Sequence, residues 1–118
     1  MTRRSTGFPP NVVQLIEARA SESCEVGVEK ICTWSKDAIH HRNARGMGGR
    51  GSDAAYASIN VASNGLAICN NCHQYVHAHP NWSKRHGFIV PDYDDPLVKP
   101  VWWRSCRTVR LNDNGDLL

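Results

Sequence analysis

The chain reads as a small α+β domain, short strands set against a few helices and organised around metal ligands. Three observations predict this. A helical apolar repeat near the start is followed only by brief, strand-sized apolar runs bounded by turn residues. Five cysteines and six histidines stand in 118 residues. No apolar run is long enough for a membrane span or a secretory leader, so the cysteines point to metal rather than to a disulfide framework, and the cytoplasm is the expected compartment. Lys and Arg total 14 against 11 Asp and Glu, a net charge of +3 that permits a nucleic-acid partner without arguing for one. Hydrophobic residues make up 41%, enough for a core but a thin one.

The elements follow in order. Residues 1–9 read as a flexible arm, 10–101 as the core and 102–118 as a C-terminal extension of a single domain spanning 1–118. Pro10 can open a helix, and Val12, Val13, Leu15 and Ile16 recur at helical spacing through about Arg19, with Ser21-Glu22-Ser23 ending it. Cys24 to Cys32 is loop, and Thr33 to His41 is a strand candidate ending in Ala38-Ile39-His40-His41. The stretch 42–58 carries Gly46, Gly48, Gly49 and Gly51 among Arg42, Arg45 and Arg50 and predicts a mobile basic loop. Asn64-Gly65 is a turn signal before a short strand, Leu66-Ala67-Ile68. Asn70 or Asn71 caps a helix to about Ala78, stopped by Pro80, with one more helical turn over 81–86. Phe88-Ile89-Val90, Val101-Trp102-Trp103 and Val109-Arg110-Leu111 read as strands, and Asn114-Gly115 as a turn.

Cys69-Asn70-Asn71-Cys72 is a CxxC, the spacing that lets two thiolates wrap one tetrahedral Zn²⁺. Cys24 and Cys32 form a second, wider pair, and together the four thiolates make a closed structural site. The alternatives are a redox CxxC, which lacks its βαβ context here, or buried free thiols. His73 and His77 lie four apart on the expected helix and share a face. His40 and His41 are neighbours on a strand and point to opposite faces, so one can bind metal while the other meets a substrate. Three imidazoles on one ion leave coordination positions open, the layout of a catalytic metal. Taken singly, each histidine reads as a surface residue, and His79 and His86 keep that reading. Trp34, Trp82, Trp102 and Trp103 read as packing, Asp92, Asp94 and Asp95 as a solvated loop, and Cys106 as a lone thiol.

Ala38-Ile39-His40-His41-Arg42, the glycine-rich Arg45-Gly46-Met47-Gly48-Gly49, Asn64 to His73, His77 and Pro80 together resemble an HNH endonuclease, of the ββα-metal nuclease family. With Glu17-Ala18-Arg19 and Cys24-Glu25 ahead of the motif, the zinc-bearing members found in phages are the most similar. The resemblance covers roughly residues 12 to 101. It implies a ββα-metal fold with a structural zinc site, an N-terminal helix and short C-terminal strands. His41 matches the family's general base, Asn64 the middle Asn that holds the loop between the strands, and His40, His73 and His77 the ligands of a catalytic divalent ion. Cys24, Cys32, Cys69 and Cys72 match the structural zinc ligands. Two departures stand out. Many members have Asp or Glu where His40 stands, and many have a CxxC for the first pair, where this chain has Gly27 and a later Cys32.

The implied activity is hydrolysis of DNA phosphodiester bonds. Neutral His41 takes a proton from the attacking water, the ion stabilises the charge gathered in the transition state, and Arg42, Arg45 and Arg50 neutralise neighbouring phosphates. An all-imidazole shell favours Ni²⁺, Co²⁺ or Mn²⁺ over Mg²⁺. The alternatives are a non-catalytic, zinc-held DNA-binding module and a phage DNA-packaging accessory acting with terminase subunits; for a phage protein the compartment is the host cytoplasm.

Overall fold

The computed structural model describes residues 7–44 and 59–118. Helix α1 spans Pro10–Ala20, with Pro10 in the first helical position, where its missing N–H costs nothing. It stops at Ser21, which turns left-handed (φ 53°), while Ser21 N–H and Glu22 N–H close back on Ala18 O and Glu17 O. Strand β1 is Ala38–His41 and strand β2 is Gly65–Ile68, the latter entered through a 3₁₀ turn at Ala62–Asn64. Helix α2 runs Asn70–Ala78 and α3 runs Pro80–Arg85. Strands β3, Val101–Trp103, and β4, Arg107–Val109, pair into a small antiparallel ribbon. Among the described residues no helix is long and apolar enough to cross a membrane.

The β1–β2 ribbon is the middle layer. Its antiparallel register sets Ala38 opposite Ile68 and His41 opposite Gly65. Side chains alternate between faces. Leu66 and Ile68 enter one core with Val26, Val76, Phe88, Val101, Val109 and Leu111; Ala67 and Ile39 enter another with Phe8, Ile16 and Ala20. So α1 covers one face of the ribbon and α2 the other. Gly65 allows the close approach of α1: a Cβ there would lie 2.5 Å from Ile16 Cδ1 and 2.9 Å from Phe8 Cζ.

Several local expectations change. The turn signalled by Asn64-Gly65 is the 3₁₀ turn Ala62–Asn64, and the strand after it starts one residue early, at Gly65. Phe88-Ile89-Val90 is irregular rather than a strand, because its polar groups are taken elsewhere: Val90 N–H donates to Arg42 O, and Phe88 O faces the His40 ring. Strand β4 begins at Arg107, and Leu111 makes only an isolated bridge to Leu117. Phe8, expected in a loose arm, is buried, and Val109 and Leu111, expected in an extension, belong to the core. The basic stretch 45–58 lies outside the described residues.

Buried polar groups tie the layers. Glu25 accepts Arg19 Nε at 2.7 Å and Arg19 Nη2 at 2.8 Å, Ala67 N–H at 2.9 Å and Trp103 Nε1–H at 3.0 Å. Arg19 also donates to Ala62 O and Gly65 O. The two side chains are 1% and 0% exposed, so removing one partner strands a charge. Glu25→Gln should therefore cost about 3–5 kcal/mol. The double variant Arg19→Met/Glu25→Leu should cost less than the two single losses added together. Urea unfolding of Arg19→Met, Glu25→Leu and the double variant measures this, and an additive result would show that the pair is not coupled.

Candidate metal centres

Four sulfurs gather where the loop after α1 meets the start of α2. Cys24, Cys32, Cys69 and Cys72 place their Sγ atoms within 4.8 Å of one another, and Cys32 and Cys69 are 3.9 Å apart. A tetrahedral ion with Zn–S bonds of about 2.3 Å has S···S edges of about 3.8 Å. None of the four is in a disulfide. Each sulfur also accepts a backbone N–H: Cys24 from Val26, Cys72 from Val28, Cys32 from Trp34 and Cys69 from Cys72, at 3.2–3.4 Å. Such donors favour the thiolate form that a metal requires. As bare thiols the four cannot ionise together. The Cys72 thiol donates to Cys24 and holds it down to about 5 against the effect of burial, and the same shared proton pushes Cys72 up. Burial pushes Cys32 up to about 11. The cluster fits a structural metal such as zinc, and Cys32, eight residues beyond Cys24 in the loop, completes it. Cys69, not Asn70 or Asn71, caps α2, through its sulfur.

A second group lies where β1 faces α2. His40, His73 and His77 each offer a ring nitrogen, all within 4.8 Å of one another. The rings stand edge-on or tilted, with centroids 4.8–5.5 Å apart, so nitrogens rather than ring faces converge. His40 is 3% exposed, and its Nε2 lies 2.7 Å from Phe88 O. A carbonyl only accepts, so Nε2 carries the proton and Nδ1 keeps the lone pair, the arrangement by which a ligating histidine is oriented. Burial, followed by the neighbouring histidines, lowers the His40 pKa to about 3, so the ring is neutral. Burial also lowers His73, with His77 adding to it. The other side of the cluster opens into a groove of about 570 Å³ lined by Asn70, His73, Gln74, His77 and Ala78. The sulfur site is closed; this one is open. His79 packs on Tyr75 and His86 on Trp82, away from both.

His41 points to the other face of the ribbon. Its ring stacks on Phe8 (centroids 4.1 Å apart, planes at 14°), and its Nε2 lies 2.8 Å from Asn60 Oδ1. Burial lowers its pKa below the usual histidine value. Asn64 is fully buried and acts through backbone: Nδ2 donates to Asn43 O and Ile59 O, and Oδ1 accepts Asn43 N–H. It ties the two ends of the 44–58 connection together.

Arg42 overturns its expected role as a phosphate contact. It is 1% exposed, and its guanidinium donates to Gly87 O, Ser63 O, Pro96 O and Lys99 O at 2.7–3.0 Å. A side chain so occupied holds the irregular 86–100 segment against β1. Arg45 and Arg50 lie outside the described residues. Sequence reasoning missed Asn60, Glu25 and the internal use of Arg42, because each depends on a distant partner: Asn60 is 19 residues from His41, Ala67 42 from Glu25 and Gly87 45 from Arg42.

No family model matches the chain, and neither a curated protein nor a solved structure matches it.

Protein purified without added metal should carry close to one equivalent of zinc by elemental analysis. Cys69→Ser should lose that zinc and several kcal/mol of stability, because metal binding and folding are coupled. Cys106→Ser, whose thiol is exposed and outside the cluster, should change neither. A zinc-free wild type that folds as well as the zinc-loaded form would sink the four-sulfur site.

Proposed function

We propose that the protein is a metal-dependent endonuclease that hydrolyses DNA phosphodiester bonds, as the HNH resemblance implies. The observation that carries the reading is the division of labour between two consecutive residues. His40 turns into an open three-imidazole cluster, while His41 turns away from it, neutral and with one ring nitrogen engaged. They are consecutive residues, with Cα atoms about 3.8 Å apart.

His40, His73 and His77 would hold the ion, which supplies positive charge beside the phosphate oxygens and the leaving 3′ oxygen, where the transition state gathers negative charge. His41 accepts a proton from the water whose oxygen attacks phosphorus. A new P–O bond forms, the P–O3′ bond breaks, and the 3′ oxygen takes a proton from solvent. Asn64 holds the chain on either side of the 44–58 connection, and so keeps the end of β1, with His41, in place. The four-sulfur cluster stands apart from the reaction and secures the base of α2.

Supercoiled plasmid nicking tests the reading. EDTA should abolish it. His41→Ala should lower the rate roughly 10²–10⁴-fold while leaving metal content unchanged. With the structural zinc in place, Ni²⁺, Co²⁺ or Mn²⁺ should support nicking at lower concentration than Mg²⁺, because imidazole suits first-row ions better than Mg²⁺. His40→Asp should shift the preference toward Mg²⁺. Full activity in His41→Ala, or cleavage indifferent to EDTA, would overturn the assignment.

A further inference from the structure

We infer that Asn60 is the positioning residue of His41: it fixes the imidazole in the Nε2–H tautomer and leaves Nδ1 as the lone-pair nitrogen. The inference rests on the nuclease reading for its use, but its structural content stands without it.

Three observations show how the ring is held. Asn60 Oδ1 lies 2.8 Å from His41 Nε2, and Asn60 is only 5% exposed. Gly7 lies over the same edge. A Cβ built on it would sit 3.3 Å from His41 Cε1, 3.6 Å from Nε2 and 3.6 Å from Asn60 Oδ1. At φ +87° this position favours glycine, so the close cover is part of the backbone design. Phe8 lies flat on the ring and keeps it from rotating. Among the described residues, the Nε2 edge is thus shut in with one acceptor, Asn60 Oδ1. An amide oxygen can only accept, so Nε2 must donate, and a neutral imidazole with Nε2–H has its basic lone pair on Nδ1.

The remaining polar atom of Asn60 agrees with this design and also makes it testable. Asn60 Nδ2 is buried with no hydrogen-bond partner among the described residues. An unsatisfied buried donor is costly and needs a reason. Turning the amide over would trade the orphan for a buried carbonyl without a donor and would put an N–H against Nε2. Nε2 would then accept, the proton would move to Nδ1, and the base would be lost. Holding the oxygen toward His41 is what the orphan donor accompanies. A carboxylate at this position would keep the acceptor toward Nε2 and replace the orphan donor by a second oxygen.

Long-range ¹H–¹⁵N NMR of the full chain, with its metal content intact, reads the tautomer directly from the two ring nitrogens of His41. Wild type should show the Nε2–H form. Asn60→Leu should give a mixed or Nδ1–H population. Asn60→Asp should keep Nε2–H, while the His40 and His73 signals stay in place in both variants as the control for fold. In plasmid nicking, Asn60→Leu should lose on the order of 10–100-fold in kcat, the scale of losing a group that orients an imidazole, and Asn60→Asp should recover most of it. A wild-type Nδ1–H tautomer, or an Asn60→Leu variant with unchanged tautomer, overturns the inference. If Asn60→Leu fails to fold, the wild-type tautomer and Asn60→Asp still decide it. If wild type holds Nε2–H, shifts in Asn60→Leu, and yet cuts no DNA, the positioning role stands and the nuclease reading falls.

Discussion

The Glu25 carboxylate is the junction on which the fold depends. Its two oxygens receive α1 through Arg19, β2 through the Ala67 amide and β3 through the Trp103 indole. Its backbone continues the same role: Glu25 N–H donates to Ala67 O, and Glu25 O accepts Arg104 N–H. The reason for a charged hub lies in the size of the elements. A ribbon of two four-residue strands has too little apolar face to hold together alone. Small domains with thin cores need further cross-links, and here they are polar: Arg19–Glu25 on one side, the Arg42 guanidinium among four carbonyls on the other, and Asn64 between. Burying a charge with its partner adds little to stability over an apolar pair, but it is severe on any rearrangement that separates them. That asymmetry favours one arrangement of α1, β2 and β3 over its alternatives.

What was legible in the sequence was local. The α1 repeat, the CxxC and the i, i+4 histidines declare themselves within one turn of helix, because side chains that close in sequence must be close in space. The opposed directions of His40 and His41 follow from strand geometry and appear as read. What was not legible depends on distant partners. Arg42 next to a histidine pair looks like a phosphate contact; only the folded chain shows that Gly87, Ser63, Pro96 and Lys99 carbonyls converge on it. Phe88-Ile89-Val90 has strand composition, yet His40 and Arg42 engage its backbone and no strand pairs with it. The cap of α2 was expected from asparagine on propensity; the sulfur of Cys69 serves instead, because a cysteine of the four-sulfur cluster already stands there.

The two candidate metal centres are not independent, and α2 is the reason. Cys69 and Cys72 stand at its cap and first turn, His73 and His77 on the next positions toward the groove. Cys72 and His73 are consecutive, about 100° apart around the helix, so one faces the sulfurs while the other faces β1. A nine-residue helix is marginal by itself in water. Its register is set at the N-terminal end, where two of its sulfurs belong to a cluster that also holds Cys24 and Cys32 from the loop between α1 and β1. An ion among those sulfurs would fix the rotation of α2 about its own axis. Rotation by one residue would carry His73 and His77 away from His40, which is itself pinned by Phe88 O and cannot follow. The open imidazole group therefore takes its geometry from two rigid ends, β1 on one side and the closed sulfur group on the other. Cys24 joins the second of these to Glu25 by a single peptide bond. The hub that holds the layers together is thus continuous with the one that orients the histidines.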